Sequence, residues 1–477
     1  MTRPIAIDAV ISHADSCRPG TLLAENGRIT ALAWTAEERA ALRVRAAEVV
    51  DGSGCWLLPG LVDAHAHAYA GLLRGTESSL PLELWALFTS VYGRALDEAS
   101  LRAAILVGAA ERLRAGYTTL VDHTPQVALA EAALAAHEAS GLRVGYAPFL
   151  HDVTDYELMA HSLPTALADM ARMPAFDESA YEARFGSIVA AARAGSGRVM
   201  PMLGPNAPQR CSAAAWAVWR RLRDRHGIPV HTHLLETQAQ LRAGRDRWAG
   251  GTVAEMERQG LLEGNVSFAH GIWLDPVDSE ILARHDATVV HNPASNLMLG
   301  SGLMPYASHR RAGLRLALGT DSANTGGRHD VWEAMRLAFM LHRGPGSDPA
   351  EWPRAPEVLQ MATENGARVL GIDAGVLRPG ALADLVLVRR DTAATLLLED
   401  TPEGLVLHAN GAAVERVFIG GETVFADGRV LAFDEEAVLA EAVALRQEVL
   451  DRASHRLPAV RAALPQLAAE LHAYIGA

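Results

Sequence analysis

The feature that most limits what this chain can fold into is an alternation along its middle. Short apolar runs are each followed by a loop and then by an Ala/Leu/Arg-rich stretch of helical period. That pattern predicts repeated βα units and a parallel sheet, because parallel neighbours need a crossover and a helix supplies it. Eight such runs end near His65, Asp122, Phe149, Leu203, His233, His270, His291 and Leu318. Eight units suit a (β/α)8 barrel, which carries its functional groups at the C-terminal strand ends; five of the eight runs end on His or Asp.

The texture differs at both ends. Up to Trp56 there are short β-type runs between turn residues, such as Gly27-Arg-Ile-Thr-Ala-Leu and Glu48-Val-Val-Asp-Gly. Similar runs return in Ala383-Asp-Leu-Val-Leu-Val and on either side of Gly420-Gly421, a hairpin signal. The two ends are expected to pair into one small β-sandwich. The organisation predicted is α/β: a first sandwich part over 1–57, the barrel over 58–372, a second sandwich part over 373–433 and C-terminal helices over 434–477.

Composition then excludes some functions. An apolar fraction of 49% supplies a large core, and a net charge of −13 without clustered cations argues against a nucleic-acid partner. No apolar stretch approaches the roughly 20 residues of a membrane span, so no membrane partner is expected. Asp8 interrupts the place where a secretory apolar region would run, and three widely spaced cysteines offer neither a disulfide framework nor a thiolate metal site. A cytoplasmic protein is expected. All 43 basic residues are arginine, so the chain contains no lysine.

Four strand ends carry the chemistry. In Pro59-Gly-Leu-Val-Asp-Ala-His65-Ala-His67 the two imidazoles lie two apart on a strand and project to one face, from which both could reach one ion. Pro229-Val-His231-Thr-His233-Leu-Leu-Glu236 sets a carboxylate three residues after a histidine, as metal-assisted hydrolysis requires of a group that takes a proton from activated water. Val266-Ser-Phe-Ala-His270 and Leu316-Ala-Leu-Gly-Thr-Asp321 add an imidazole and a carboxylate. Each alone suits a structural role. Together, in one barrel, they are hard to explain by packing, because buried ionisable groups are costly unless paired or metal-bound.

These residues, with Gly116-Tyr-Thr-Thr, Gly204-Pro, His291-Asn-Pro-Ala-Ser-Asn and Gly380-Ala-Leu-Ala-Asp-Leu-Val, resemble the amidohydrolase superfamily over nearly the whole chain. The likeness is to its cytosine-deaminase-like branch of chlorohydrolases, triazine hydrolases and purine or pterin deaminases. It implies that His65, His67, His233 and Asp321 bind one divalent cation, zinc first and iron(II) second. It further implies that Glu236 shuttles protons, that His270 lies over the substrate and the hydrolytic water, and that Asp321 also acts in catalysis. Binuclear members bridge two metals with a carbamylated lysine; with no lysine here, a mononuclear site is expected. The activity implied is hydrolytic deamination of an amino-substituted nitrogen heterocycle of the purine, pterin, pyrimidine or triazine class, with release of ammonia. Its alternatives are removal of chloride, an alkylamine or an imine nitrogen by the same chemistry, and an inactive relative that serves as a binding protein. A small-molecule substrate and, by resemblance, a homo-oligomer complete the expectation.

Trp85, Asn206, Gln209, Arg210 and Ser322 are candidate substrate contacts from strand-end loops, Arg210 facing an acidic or oxo-bearing ring. His231 is expected to hydrogen-bond inside the barrel rather than ligate, Asp122 and His123 to support the site, and His291, Asn292 and Asn296 to form a turn. Two departures from the adenosine-type relatives bear on the substrate. Leu84, not an acid, precedes Trp85, and Asn206, not His, follows Gly204-Pro, so the ribose contact of those relatives is expected to be missing.

Overall fold

The structure is a computed structural model that describes residues 3–13, 16–161 and 163–476. Four strands open it: β1 (Ile5–His13), β2 (Ser16–Glu25), β3 (Arg28–Ala33) and β4 (Glu48–Pro59). Between β3 and β4 lies a helix, Ala36–Arg45, inside what the sequence presents as an all-β stretch. Thr35 and Glu38 start it with a reciprocal capping box, satisfying two of the free amides at its N-terminus.

Parallel strands follow: β5 (Leu61–His67), β6 (Tyr117–Thr124), β7 (Arg143–Leu150), β8 (Val199–Pro201), β9 (Gly204–Pro205), β10 (Val230–Leu234), β11 (Val266–His270), β12 (Thr288–His291), β13 (Arg315–Leu318) and β14 (Asp321–Ser322). One parallel sheet has the order β14-β5-β6-β7-β8, with β9 beside β7, and a second runs β10-β11-β12-β13. Two features link them. β13 passes into β14 through Gly319 and Thr320, and Leu203 bridges Val230 in parallel. β5 and β6 are buried along their whole length, as strands covered on both faces must be, which is why they read as apolar runs without alternation.

The chain closes with β15 (Leu385–Arg389), β16 (Val414–Ile419), β17 (Glu422–Ala426) and β18 (Arg429–Val430), then helices Glu435–Ser454 and Leu457–Gly476. The strands of the two ends do pair, and they do so edge to edge in one continuous eight-stranded sheet, β18-β17-β16-β15-β4-β1-β2-β3. Ile7, Ile11, Leu22, Leu57, Leu387 and Phe418 form an apolar cluster on this sheet. Gly420 and Gly421, at φ +59° and +77°, make the tight turn between β16 and β17, a conformation that suits glycine. Among the described residues no helix is long and apolar enough to cross a membrane.

Gly60 joins β4 of this sheet to β5, the strand that bears His65 and His67. Its amide donates to the Asp384 carbonyl at 2.8 Å, and a Cβ there would run into the side chain of Thr118 on β6. Gly60→Ala is expected to destabilise the protein by about 1–3 kcal/mol through overpacking. Urea unfolding at fixed metal occupancy checks this; an unchanged midpoint would show that Thr118 moves freely aside.

Candidate metal centre and active site

The ends of β5, β10, β11 and β14 converge. His65 Nε2 and His67 Nε2 lie 3.5 and 3.3 Å from Asp321 Oδ1, and His233 Nε2 lies 3.3 Å from His67 Nε2. His270 Nε2 is 3.5 Å from Glu236 Oε2 and 3.9 Å from Asp321 Oδ2. The six side chains named from the sequence for metal binding and catalysis therefore share one centre, all of them buried except His233, which is partly buried.

Hydrogen bonding fixes how these rings present themselves. His67 Nδ1 donates to the carbonyl of His123, and His233 Nδ1 donates to the carbonyl of Asn206 at 2.6 Å. A carbonyl only accepts, so each Nδ1 carries a hydrogen, and either ring, when it binds a metal, turns an Nε2 lone pair inward. Two such lone pairs facing one another at 3.3 Å repel unless a cation lies between them. Zinc–nitrogen bonds of about 2.0–2.1 Å in a tetrahedron set two ligand nitrogens about 3.3 Å apart. His65 Nε2, buried and without a hydrogen-bond partner, points to the same requirement. The donor set of three imidazoles and a carboxylate fits a divalent ion of the zinc or iron(II) type.

The electrostatics agree. Burial, outweighing the pull of Asp321, pushes His65 down to about 4, and burial together with neighbouring imidazoles holds His233 well below the usual range, so both rings are neutral as ligation requires. Burial also pushes Glu236 well above the usual carboxylate range, helped by the negative charge of Asp321 and Glu83. A carboxyl that takes up a proton easily in a water-poor site suits a proton shuttle.

Two of the residues stand in left-handed backbone: His270 at φ +76° and Asp321 at φ +61°. Non-glycine residues persist there only where the surroundings over-determine them. For Asp321 the surroundings are explicit. Asp63, on β5, accepts from Thr320 N at 2.8 Å and Thr320 Oγ1 at 2.6 Å, and Arg112 Nε closes on Asp63 Oδ2 at 2.9 Å. Arg112 and Asp63 are both 0% exposed. Ser295 Oγ adds a 2.5 Å hydrogen bond to Asp321 Oδ2.

A cavity of about 340 Å³ opens over the centre, walled in part by Trp85, Phe149, His151, Asn206 and Leu299, with Glu236 and Asp321 as its carboxylates. Among the candidate substrate contacts, Trp85 lines it from helix Leu82–Arg94, and its indole N–H has no partner. Asn206 and Arg210 also line it, but the Arg210 guanidinium is already held by Asp155 and by Asn206 Oδ1 at 2.7 Å. Gln209 and Ser322 lie off the wall; the Gln209 amide is buried without partners, and Ser322 Oγ donates to Asn324 Oδ1 at 2.6 Å. Glu83 is buried beside the cavity and accepts from Thr237 Oγ1 at 2.5 Å.

Of the supporting residues, Asp122 accepts from the amide of Ala68 at 2.9 Å and pairs with His137 at 2.8 Å, bracing the turn after His67. His231 bonds His65, as a non-ligating residue should. Asn296, read from the sequence as part of a turn, has a larger part: on helix Pro293–Met298 its Oδ1 takes His270 Nδ1 at 2.9 Å, leaving Nε2 toward Glu236. Sequence offered no signal for this pair, because the partners lie on different elements.

Parallel strands that deliver imidazoles and carboxylates to one centre under a cavity define a hydrolase-type metal site. The chain belongs to the amidohydrolase family, whose profile matches residues 56–424. It is 32% identical over 439 residues to a 5'-deoxyadenosine deaminase of Methanosarcina barkeri, covering 91% of this chain and 94% of that one. It is 34% identical over 380 residues to a 5-methylthioadenosine/S-adenosylhomocysteine deaminase of Thermococcus kodakarensis, covering 78% and 83%. A crystal structure of an adenosine deaminase from Xanthomonas campestris with bound zinc superposes with a TM-score of 0.82 at 26% identity, covering 93% and 98%.

Proposed function

We propose that the protein is a metal-dependent hydrolytic deaminase of an aminated purine ring, releasing ammonia. The observation that carries this reading is the pair of inward-facing imidazole Nε2 atoms of His67 and His233 3.3 Å apart, with a protonatable Glu236 beside the same centre. His65, His67, His233 and Asp321 would hold one divalent ion, zinc by analogy with the Xanthomonas campestris neighbour. When bound, the ion supplies Lewis-acid activation of water. Glu236 takes a proton from that water and delivers it to a ring nitrogen of the substrate, which makes the ring carbon electrophilic. His270, fixed by Asn296, keeps Nε2 toward the water and orients it. Asp321 takes the second proton and returns it to the departing amine. The balance is ring–NH2 plus water giving ring–OH, in its oxo form, plus ammonia.

The eight strand positions are read as one closed (β/α)8 barrel, supported by the pairing of β14 with β5 and by the Leu203–Val230 bridge. The barrel spans 58–372, between the sheet parts at 1–57 and 373–433, with the helices of 434–477 at the end.

The purine class rests on the names of the relatives, which are adenine-nucleoside deaminases. A second reading, a substrate without ribose, is favoured by the residues before Trp85: Leu84 carries no acid, and the carboxylate of Glu83 is committed to Thr237. Ammonia release should be measured for adenosine, 5'-deoxyadenosine, methylthioadenosine, adenine and guanine, with aminopterins and chloro- and aminotriazines alongside. Turnover of a purine that disappears on chelation and returns with zinc is the expected result. Turnover confined to triazines, or activity indifferent to chelation, would overturn the reading.

A further inference from the structure

Behind His65 lies a second histidine, outside the four ligands proposed above. His231, on β10 and 0% exposed, places Nε2 2.8 Å from His65 Nδ1 and its own Nδ1 2.8 Å from Ser267 Oγ on β11. Ser267 Oγ lies 3.2 Å from the carbonyl of Val230.

One arrangement of the hydrogens satisfies all three contacts along this chain. Ser267 has one hydroxyl hydrogen, and the Val230 carbonyl only accepts, so the hydroxyl donates there and must accept from His231. His231 Nδ1 therefore carries a hydrogen. Among the described residues no carboxylate pairs with this ring: its side-chain hydrogen bonds go to His65 and Ser267, and its other ring neighbour is the imidazole of His123. His231 Nε2 is then a lone pair that accepts from His65 Nδ1–H, and the remaining nitrogen of His65, Nε2, is bare where it faces Asp321. His231 is too close to His65 to share an ion with it, since two nitrogens on one zinc lie about 3.3 Å apart.

We infer that His231 and Ser267 are positioning residues that fix the tautomer of His65, so that its Nε2 is held ready as a metal ligand. This rests on the metal-centre reading above. A partner that holds the far nitrogen of a ligating imidazole typically changes metal affinity about 10–100-fold when removed.

The test is zinc affinity, by competition with a chromogenic chelator, for the full chain and for His231→Phe, His231→Gln and Ser267→Ala, with thermal unfolding of each metal-free form as the control for folding. His231→Phe fills the space without an acceptor and is expected to weaken zinc binding about 10–100-fold. His231→Gln restores an acceptor oxygen and is expected to recover most of that loss, while Ser267→Ala should weaken binding less than His231→Phe does. Parent-like affinity in a folded His231→Phe, or equal losses in His231→Phe and His231→Gln, would overturn the inference. Should His231→Phe not fold, Ser267→Ala decides: parent-like affinity there overturns it. A parent chain that takes up no zinc would instead sink the metal-centre reading, a distinguishable outcome.

Discussion

Glu236→Gln is expected to lower turnover by about 10²–10⁴-fold while leaving zinc content unchanged, because the amide keeps the shape of the side chain and loses only the transferable proton. The same substitution should make the metal-free protein more stable. Glu236 is 3% exposed and its carboxyl is raised by burial first, then by Asp321 and Glu83. The folded state thus binds this proton more tightly than the unfolded chain does. The stability that protonation supplies is complete below the ordinary glutamate range and is lost as pH rises through the raised value. Glutamine is neutral throughout, so the metal-free variant and parent should melt alike in acid and separate as pH rises above the ordinary glutamate range, the variant melting higher. Paired melts at pH 5 and pH 8 check this. A variant that melts lower at both would mean that the carboxylate is paired in the fold, and with that the shuttle would lose its physical basis.

Arg112→Met is expected to cost about 3–5 kcal/mol, the range for removing one partner of a buried pair and stranding the other charge. Asp63 would keep its hydrogen bonds from Thr320 and lose its cation. Because Thr320 precedes Asp321, zinc affinity should fall with stability. Arg112→Met with Asp63→Leu should cost less than the sum of the two single changes, the mark of a coupled pair. Denaturant unfolding of the four proteins measures that difference, and strict additivity would show that the two side chains act independently.

Most of the centre was legible because strands buried on both faces leave few reasons for a histidine other than a ligand or a partner. His65, His67, His233 and His270 stand out from apolar runs, and their strand ends fall within a few residues of the expected places. What escaped is what depends on pairing across distance. Asn296 reads as a turn residue because nothing near it announces His270, and Arg210 reads as a free cation because Asp155 is far from it in the chain. The helix Ala36–Arg45 carried its own signal in Thr35 and Glu38, overshadowed by the turn-rich β runs around it. Trp85 was expected in a loop and sits on a helix; the apolar Leu84-Trp85-Ala-Leu-Phe88 run belongs to a face packed into the core.

The joining of the chain ends sets an order on biosynthesis. β4 leads through Gly60 into the strand of the first two proposed ligands, yet one of its edges is completed by β15, which the ribosome makes only after Asp321. Until then a nascent chain carries an unpaired strand edge beside His65 and His67, the first of the proposed ligands, a place where another chain could pair. Zinc supplied during synthesis, or a chaperone that shields that edge, should therefore raise the yield of active protein more than either does when added to the finished chain.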